Sequence, residues 1–189
     1  MFAVEMVRGG ATNLDTLYRL GALFPPAVRA GQWWRLVAAV FLHYGWLHIT
    51  MNMFALWVLG PFIEFALGFR RYLWTYLISG IGSMGIVMLF SFGPRAEQLA
   101  LGASGCIMGL VGATGALMLR AWRQHQALSA RRRLITMLLI IITQSIFDFM
   151  VPQVSMTAHL SGAIIGFATA LLLRYRLTAA VFQTRDGRL

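Results

Sequence analysis

The dominant pattern along this chain is a series of apolar runs that end at arginines or at Gly/Pro clusters. Most are about 18 residues or longer, the length that a helix needs to cross a bilayer. The segments 91–103 and 150–154 carry prolines and are predicted to be loops. We therefore predict an all-α, polytopic membrane helical bundle with spans at residues 45–66, 69–90, 104–122, 134–150 and 155–174.

The residues before the first full span form a less regular region. Residues 1–7 are a short apolar stub, too short to cross a bilayer, so we interpret residues 1–10 as a truncated first span. A long connection follows at 11–44, amphipathic in parts, with two prolines and the pair Trp33-Trp34. On this interpretation residues 11–176 are one membrane domain, and residues 177–189 are a cytoplasmic tail.

The composition supports a membrane protein and argues against a nucleic-acid partner. The chain is 59% hydrophobic and 12% charged, whereas about a quarter of the residues in a soluble domain are charged. The net charge of +10 comes from arginines that lie between the predicted spans, so membrane topology explains it better than a nucleic-acid partner does. The single cysteine, Cys106, excludes an internal disulfide framework. We expect neither a metal nor another cofactor, and the oligomeric state is left open.

The arginines also predict the orientation. The connection after the first full span, the 120–133 loop and the C-terminal tail are rich in arginine, whereas the 11–44 connection and the 91–103 loop carry fewer, balanced by acidic residues. The positive-inside rule places the arginine-rich group, with the C-terminus, in the cytoplasm. Because no targeting peptide or soluble domain is evident, we expect a prokaryotic plasma membrane.

Polar side chains inside a span are costly in lipid, so they mark function or tight packing. Four of them lie in the predicted external halves of their spans: His48, Asn52, Ser104 and His159. The orientation rests on arginines alone, so this agreement in depth is independent of any assumed site. We predict that the four residues share one site facing the external side.

Small residues recur four apart in the helices that carry Ser104 and His159. Such stripes let two membrane helices approach backbone to backbone, which would bring the two side chains within hydrogen-bond reach. A neutral imidazole can take the proton of a serine hydroxyl as its oxygen attacks a carbonyl. The stripes are Gly105, Gly109, Gly112 and Ala116 in one helix and Gly162 and Gly166 in the other.

The surroundings of Ser104 suit an oxyanion. The residue lies in Gly102-Ala103-Ser104-Gly105, at the predicted N-terminus of a helix, where free N–H groups and the helix dipole favour negative charge. His48 and Asn52 are four residues apart and project from one helical face, so both can donate to the same oxygen.

Each residue also has a structural interpretation. A serine among small residues is common in helix packing, an intramembrane histidine can be a hydrogen-bonding strut, and the His48–Asn52 pair can hold helices together. We expect Cys106 to be a packing residue. His43 and His125 are expected to be solvated or interfacial, and Glu64 to pair with Arg70 and Arg71.

Four ordered motifs are Gly31-Gln32-Trp33-Trp34-Arg35, His48-x-x-x-Asn52, Gly102-x-Ser104-Gly105 and Ala158-His159-x-x-Gly162-x-x-x-Gly166. In this order and in these spans they resemble the rhomboid intramembrane serine proteases. Glu64-x-x-x-Gly68 is also similar to the family pattern.

The resemblance implies a role for each motif. Ser104 is implied to be the nucleophile and His159 the general base, a dyad without a carboxylate, with Asn52, His48 and the Ser104 N–H as the oxyanion hole. Trp34 and Arg35 are implied to lie in an external connection partly in the outer leaflet, and the 150–154 loop to cap the site. The implied substrates are single-span membrane proteins. Many family members have a tyrosine four residues after the nucleophile that stacks on the histidine, whereas this chain has Met108, whose thioether can still pack against an imidazole.

Two other functions are compatible with a histidine-containing membrane bundle. A rhomboid-like scaffold without protease activity would bind membrane proteins, but inactive members of the superfamily typically lack the serine or the histidine. A proton- or metal-coupled transporter would use His48 and His159, but no carboxylate is predicted mid-membrane to join them and the broken-helix pattern is missing.

Overall fold

The computed structural model describes residues 1–92, 98–125, 128–150 and 155–173, with side chains outside the description at 125, 145 and 147–150. These residues form nine α-helices, one short 3-10 helix at Ala39–Phe41 and an isolated antiparallel bridge between Leu23 and Ala100. The helices are α1 (Phe2–Val7), α2 (Leu14–Leu20), α3 (Pro25–Arg29), α4 (Arg35–Ala38), α5 (Gly45–Leu67), α6 (Phe69–Phe90), α7 (Ser104–His125), α8 (Leu128–Met150) and α9 (Met156–Leu172).

The all-α prediction is confirmed, and the five long helices follow the predicted spans in order. We call the end of the bundle at which α5, α7 and α9 begin the upper end. The one large boundary error is at α8, which begins at Leu128 rather than at 134. Arginine is a good helix former, and Ala130 packs into an apolar cluster with α7, so the helix extends through the arginine run. Residues 151–154 of the predicted 150–154 loop, residues 93–97 of the predicted 91–103 loop and the whole 177–189 tail lie outside the described residues.

Hydropathy and exposure identify an integral membrane protein. In the described part of the chain, α5, α6 and residues Ser104–Gln124 of α7 are long and apolar enough to cross a membrane, and α9 is a shorter apolar helix. Large apolar side chains cover the outer face of α5, with Leu47 76% and Trp57 74% exposed. Such a surface is unfavourable in water but is expected against lipid.

Helix α7 lies at the centre of the bundle, in contact with α5, α6, α8 and α9. In the 18-residue apolar stretch of α7, 83% of the residues are buried, whereas in the corresponding stretch of α5 only 17% are. Small residues make this position possible, since Gly109, Gly112, Ala113 and Ala116 leave room for neighbouring backbones. The helix that begins at Ser104 is therefore the one that the others surround.

The contact between α7 and α9 is made backbone to backbone, as the glycine stripes predicted. A Cβ on Gly162 would overlap the carbonyl oxygen of Gly105, and a Cβ on Gly166 would overlap that of Gly109. In return, a Cβ on Gly112 would overlap the carbonyl of Ala163. Because backbone cannot move aside as a flexible side chain can, these positions require glycine.

A second close contact, between α6 and α7, was not predicted from the sequence. Cβ atoms on Gly105 and Gly109 would overlap the side chains of Ser83 and Ser79, respectively. Both serines are fully buried and donate to carbonyls of their own helix, Ser79 to Thr75 and Ser83 to Gly80. These bonds satisfy the hydroxyls inside an apolar region, so the serines act as small packing residues.

The N-terminal connection attaches to the upper end of the bundle. Leu23 and Ala100 exchange two backbone hydrogen bonds, and the Gly102 N–H donates to the carbonyl of Ala39, at 2.9 Å in each case. The α1 stub docks there too, with Phe2 edge-on to Trp46 at the start of α5. Its assignment as the remnant of a first span stays a prediction.

The glycine contacts predict a difference between two similar substitutions. Gly166→Ala should lower the free energy of unfolding by about 1–3 kcal/mol, because its Cβ has no space beside the backbone of Gly109. Gly85→Ala on α6 should stay within about 1 kcal/mol of the parent, because apart from the backbone of α6 and the adjacent residues nothing lies within 4 Å of its added Cβ. Unfolding in mild detergent measures both, and equal losses would contradict the backbone contact.

Candidate active site

Ser104 is the first residue of α7 and lies at the upper end of the bundle, partly buried. The carbonyl of Ala103 accepts the N–H of Ile107 at 3.0 Å, so the helix begins there. The N–H groups of a first helical turn have no partner within the helix. The backbone therefore presents donors beside the Ser104 hydroxyl, as expected from the sequence.

Gly102 allows His48 to reach Ser104. Its φ of +124° favours glycine, and an added Cβ would lie 2.7 Å from Cε1 and 2.8 Å from Nε2 of the His48 ring. The same point is 3.7 Å from the Ser104 Oγ. The imidazole of His48 thus fills the space of a side chain at Gly102, and the Ser104 hydroxyl borders the same space.

A backbone hydrogen bond selects the tautomer of His48. The N–H of Tyr44 donates to His48 Nδ1 at 3.2 Å, so Nδ1 carries no proton and neutral His48 carries it on Nε2. Because Nε2, with Cε1, is on the side of the ring that borders Gly102, its N–H is available as a donor at this place.

Asn52 follows one turn later on α5 and is buried. Its Nδ2 donates to the carbonyl of His48 at 3.0 Å, which holds the amide against the same helix. A primary amide has a second N–H, so this bond leaves one donor for another acceptor.

His159 lies in the first turn of α9, 6% exposed. Its Nδ1 is 3.4 Å from the amide nitrogen of Gln144 on α8, and its imidazole is close enough to interact electrostatically with that of His48. Among the described residues the side-chain hydrogen bonds do not include one between Ser104 and His159. Catalytic hydrogen bonds often tighten only when substrate binds, so the predicted bond stays a prediction.

Arg35 organises the N-terminal connection from a buried position, 3% exposed. One amino group donates to the carbonyls of Tyr18 at 2.7 Å and Ala22 at 2.9 Å, and Nε donates to Gln32. Its guanidinium also lies over the rings of Tyr18 and Trp34. The Trp34-Arg35 motif therefore stabilises the segment that pairs with Ala100. The location of this motif in the outer leaflet stays a prediction.

The interpretation of His43 as solvated or interfacial was wrong. His43 is 4% exposed, and its ring is edge-on to that of His48 with centroids 5.3 Å apart. The backbone N–H of His43 donates at 3.3 Å to the carboxylate of Glu5, a fully buried residue of α1. Burial lowers the pKa of His43 to about 4, with His48 acting in the same direction. Burial also raises the pKa of Glu5, opposed by that backbone hydrogen bond.

The predicted pairing of Glu64 with the following arginines was also wrong. In the described part of the chain the one salt bridge joins Arg19 to Asp15. Glu64 is exposed, and Arg71 donates instead to the carbonyl of Leu67. Gly68, with φ of +79°, joins α5 directly to α6.

Cys106 is buried, in agreement with its predicted packing role. Met108 is also buried and packs with Val111, Ala163 and apolar residues of α5 and α8. Packing of its thioether against the imidazole of His159 stays a prediction. Cys106 lies against Gly80 of α6. The side chain of His125 is outside the described residues.

The Rhomboid domain family matches residues 30–176, which include the four polar residues, Gly102, Trp34 and Arg35. This chain belongs to the rhomboid family. The match covers α4 to α9, the whole of the central bundle.

Named relatives from a bacterium and a plant support the assignment. This rhomboid is 34% identical over 178 residues to the rhomboid protease GluP of Bacillus subtilis, covering 92% of this chain and 32% of that protein. It is 34% identical over 164 residues to RHOMBOID-like protein 5 of Arabidopsis thaliana (87% and 52%), and 36% identical over 163 residues to RHOMBOID-like protein 2 of the same plant (86% and 49%). The chain thus spans about a third to a half of the length of these relatives.

The buried contacts of Arg35 predict that this rhomboid will not tolerate lysine there. A lysine keeps the charge but cannot reach Gln32 and both carbonyls at once, so Arg35→Lys should lower the free energy of unfolding by about 1–3 kcal/mol. The matched control, Arg19→Lys, affects an exposed ion pair and should change it by less than about 0.5 kcal/mol. Thermal unfolding in detergent tests both, and equal effects would exclude a special role for Arg35.

The buried imidazole of His43 predicts a pH dependence of stability. Because its pKa of about 4 is below the ordinary 6.5, the unfolded chain takes up the proton first as the pH falls. The contribution of neutral His43 to the free energy of unfolding is therefore fully present above pH 6.5. It is lost as the pH falls from 6.5 to about 4. His43→Gln should show a fall in unfolding free energy over this range that is smaller by about 1–3 kcal/mol. Identical pH profiles of parent and variant would contradict this account.

Proposed function

We propose that this rhomboid is an intramembrane serine endopeptidase that cleaves single-span membrane proteins with a Ser104–His159 dyad. The observation that carries the proposal is the backbone contact between Gly105 and Gly162. Ser104 immediately precedes Gly105, and His159 lies one turn before Gly162. The contact therefore supports a common depth for the hydroxyl and the imidazole at the upper end of two adjoining helices.

The first half of the proposed reaction forms an acyl-enzyme. The Ser104 oxygen attacks the peptide carbonyl while its proton passes to His159. The tetrahedral intermediate then collapses, the C–N bond breaks, and His159 gives the proton to the leaving amine. Since Nδ1 of His159 faces Gln144, we assign Nε2 to this proton transfer. In the second half, water attacks the ester with His159 again as the base, which releases the new carboxyl end and restores Ser104.

The oxyanion would be stabilised by three kinds of donor. These are the backbone N–H of Ser104, the Nε2–H of His48 and the remaining N–H of Asn52. The proximity of the His48 ring to the Ser104 Oγ around Gly102 supports the second. Removing one such donor typically costs about 2.7–4 kcal/mol of transition-state stabilisation.

The class of substrate follows from the surroundings of the site. Apolar side chains cover the outer face of α5, while Ser104 and His159 lie at the upper ends of α7 and α9, Ser104 partly buried and His159 buried. A substrate in the same bilayer can approach laterally and present a carbonyl only where its helix unwinds. Under the arginine-based orientation, this end faces the external side of a prokaryotic plasma membrane and the C-terminus is cytoplasmic. The proposed reaction uses no cofactor.

The proposal predicts serine-dependent cleavage of a reconstituted single-span substrate. Ser104→Ala and His159→Ala should each lower the rate at least about 10³-fold, because each removes an atom that forms a bond or moves a proton. Ser161→Ala is the matched control, since that hydroxyl donates to the carbonyl of Thr157 on the same helix and should leave cleavage unchanged. Gel analysis of liposomes measures the rates.

Labelling by a fluorophosphonate separates the protease from a scaffold of the same fold. The parent and Ser161→Ala should be labelled at Ser104, and Ser104→Ala should not. A folded parent that neither cleaves the substrate nor reacts with the probe would exclude the protease and leave the scaffold function.

A further inference from the structure

Gln144 of α8 is a polar residue that the proposed reaction does not use, although it lies beside one of its two central residues. Its amide nitrogen is 3.4 Å from Nδ1 of His159, and its side chain is partly buried. A polar side chain within a span is costly in lipid. Its place beside a buried imidazole therefore requires an explanation.

The register of α8 directs Gln144 inward. Met137, Ile141 and Gln144 are spaced four and three residues apart, so they share one face of the helix. The first two pack against Met108 and Ala163, between α7 and α9. Positions between them face outward, as the exposed Leu138 shows. Gln144 thus lies on the inner face of α8, at the position where the pattern of Met137 and Ile141 would place a third apolar side chain.

An amide suits a histidine that changes its protonation during a reaction. Its nitrogen donates to an unprotonated Nδ1, and rotation of the amide by 180° presents an oxygen that accepts from Nδ1–H. In the second arrangement Nε2 of His159 carries no proton, so it can take the Ser104 proton, and the amide oxygen supports the imidazolium that follows. Met108 on α7 packs with Ala163 of α9, and its thioether is only a weak hydrogen-bond acceptor.

We propose that Gln144 is a positioning residue that holds His159 through Nδ1 and so presents Nε2 to Ser104. The assignment rests on the proposed protease function. It makes α8 part of the catalytic arrangement, whereas the sequence motifs place catalysis on α5, α7 and α9.

Two near-isosteric substitutions test the proposal in the reconstituted full-length protein. Gln144→Met removes both hydrogen-bonding atoms but fills the same volume, and it should lower kcat about 10- to 100-fold with little change in KM. Gln144→Glu retains an oxygen acceptor and should keep kcat within about 10-fold of the parent. Met137→Leu, on the same inner face, is the packing control and should keep both parameters. Equal kcat in the parent and Gln144→Met, or an equal loss in the Met and Glu variants, would overturn the proposal.

A spectroscopic measurement separates this inference from the protease function itself. In protein labelled with ¹⁵N-histidine, the signals of His159 can be assigned by their loss in His159→Asn, and they report its tautomer. Gln144→Glu should increase the share of the Nδ1–H form relative to Gln144→Met, because a carboxylate only accepts. The same tautomer populations in both variants would refute the contact even in an active enzyme. A difference in a protein that does not cleave would refute the protease function and leave the contact standing.

Discussion

The close approach of α7 and α9 is the constraint on which the rest of the structure depends. Two helices normally keep their axes 8–10 Å apart because side chains stand between them, but here the carbonyls of Gly105 and Gly109 occupy the space of missing Cβ atoms on α9. In lipid, dispersion contacts of this kind replace the hydrophobic effect as the source of helix association. α6, α5 and α8 also pack around α7. One pattern of glycines therefore determines both the packing of the bundle and the relative position of Ser104 and His159.

The upper end of the bundle combines this rigid contact with a less regular segment. Arg35 anchors the N-terminal connection by bonds to backbone carbonyls, and the connection in turn bonds to Ala100 and Gly102. Gly102 lies two residues before Ser104 and makes space for His48. Residues far apart in the chain thus converge on one loop, which explains why the first motif contains no reacting group and still belongs to the site.

Much of this arrangement could be predicted from the sequence, because bilayer-length apolar runs and glycines four apart are local patterns. They gave four of the five long helices to within a few residues and the α7–α9 contact. The errors concern side chains whose surroundings come from distant parts of the chain. His43 is buried where its backbone N–H meets Glu5 of α1, 38 residues earlier in the chain, and Arg71 bonds to the carbonyl of Leu67 rather than to Glu64. Gln144 carried a signal, as a polar residue in an apolar run, but only the orientation of α8 shows that it reaches His159.

Repeated glycines also create an ambiguity that the fold has to resolve. Because the stripes on α7 and α9 repeat every four residues, a bundle with one helix displaced by one turn, about 5.4 Å, would present small residues to small residues again. Such an isomer would be well packed but would separate Ser104 from His159. The hydrogen bond from Gly102 to Ala39 and the Leu23–Ala100 bridge oppose this slippage, since both hold the start of α7 to a segment outside the stripes. The N-terminal connection therefore serves as a register lock, and its loss would yield a folded bundle with a misaligned pair.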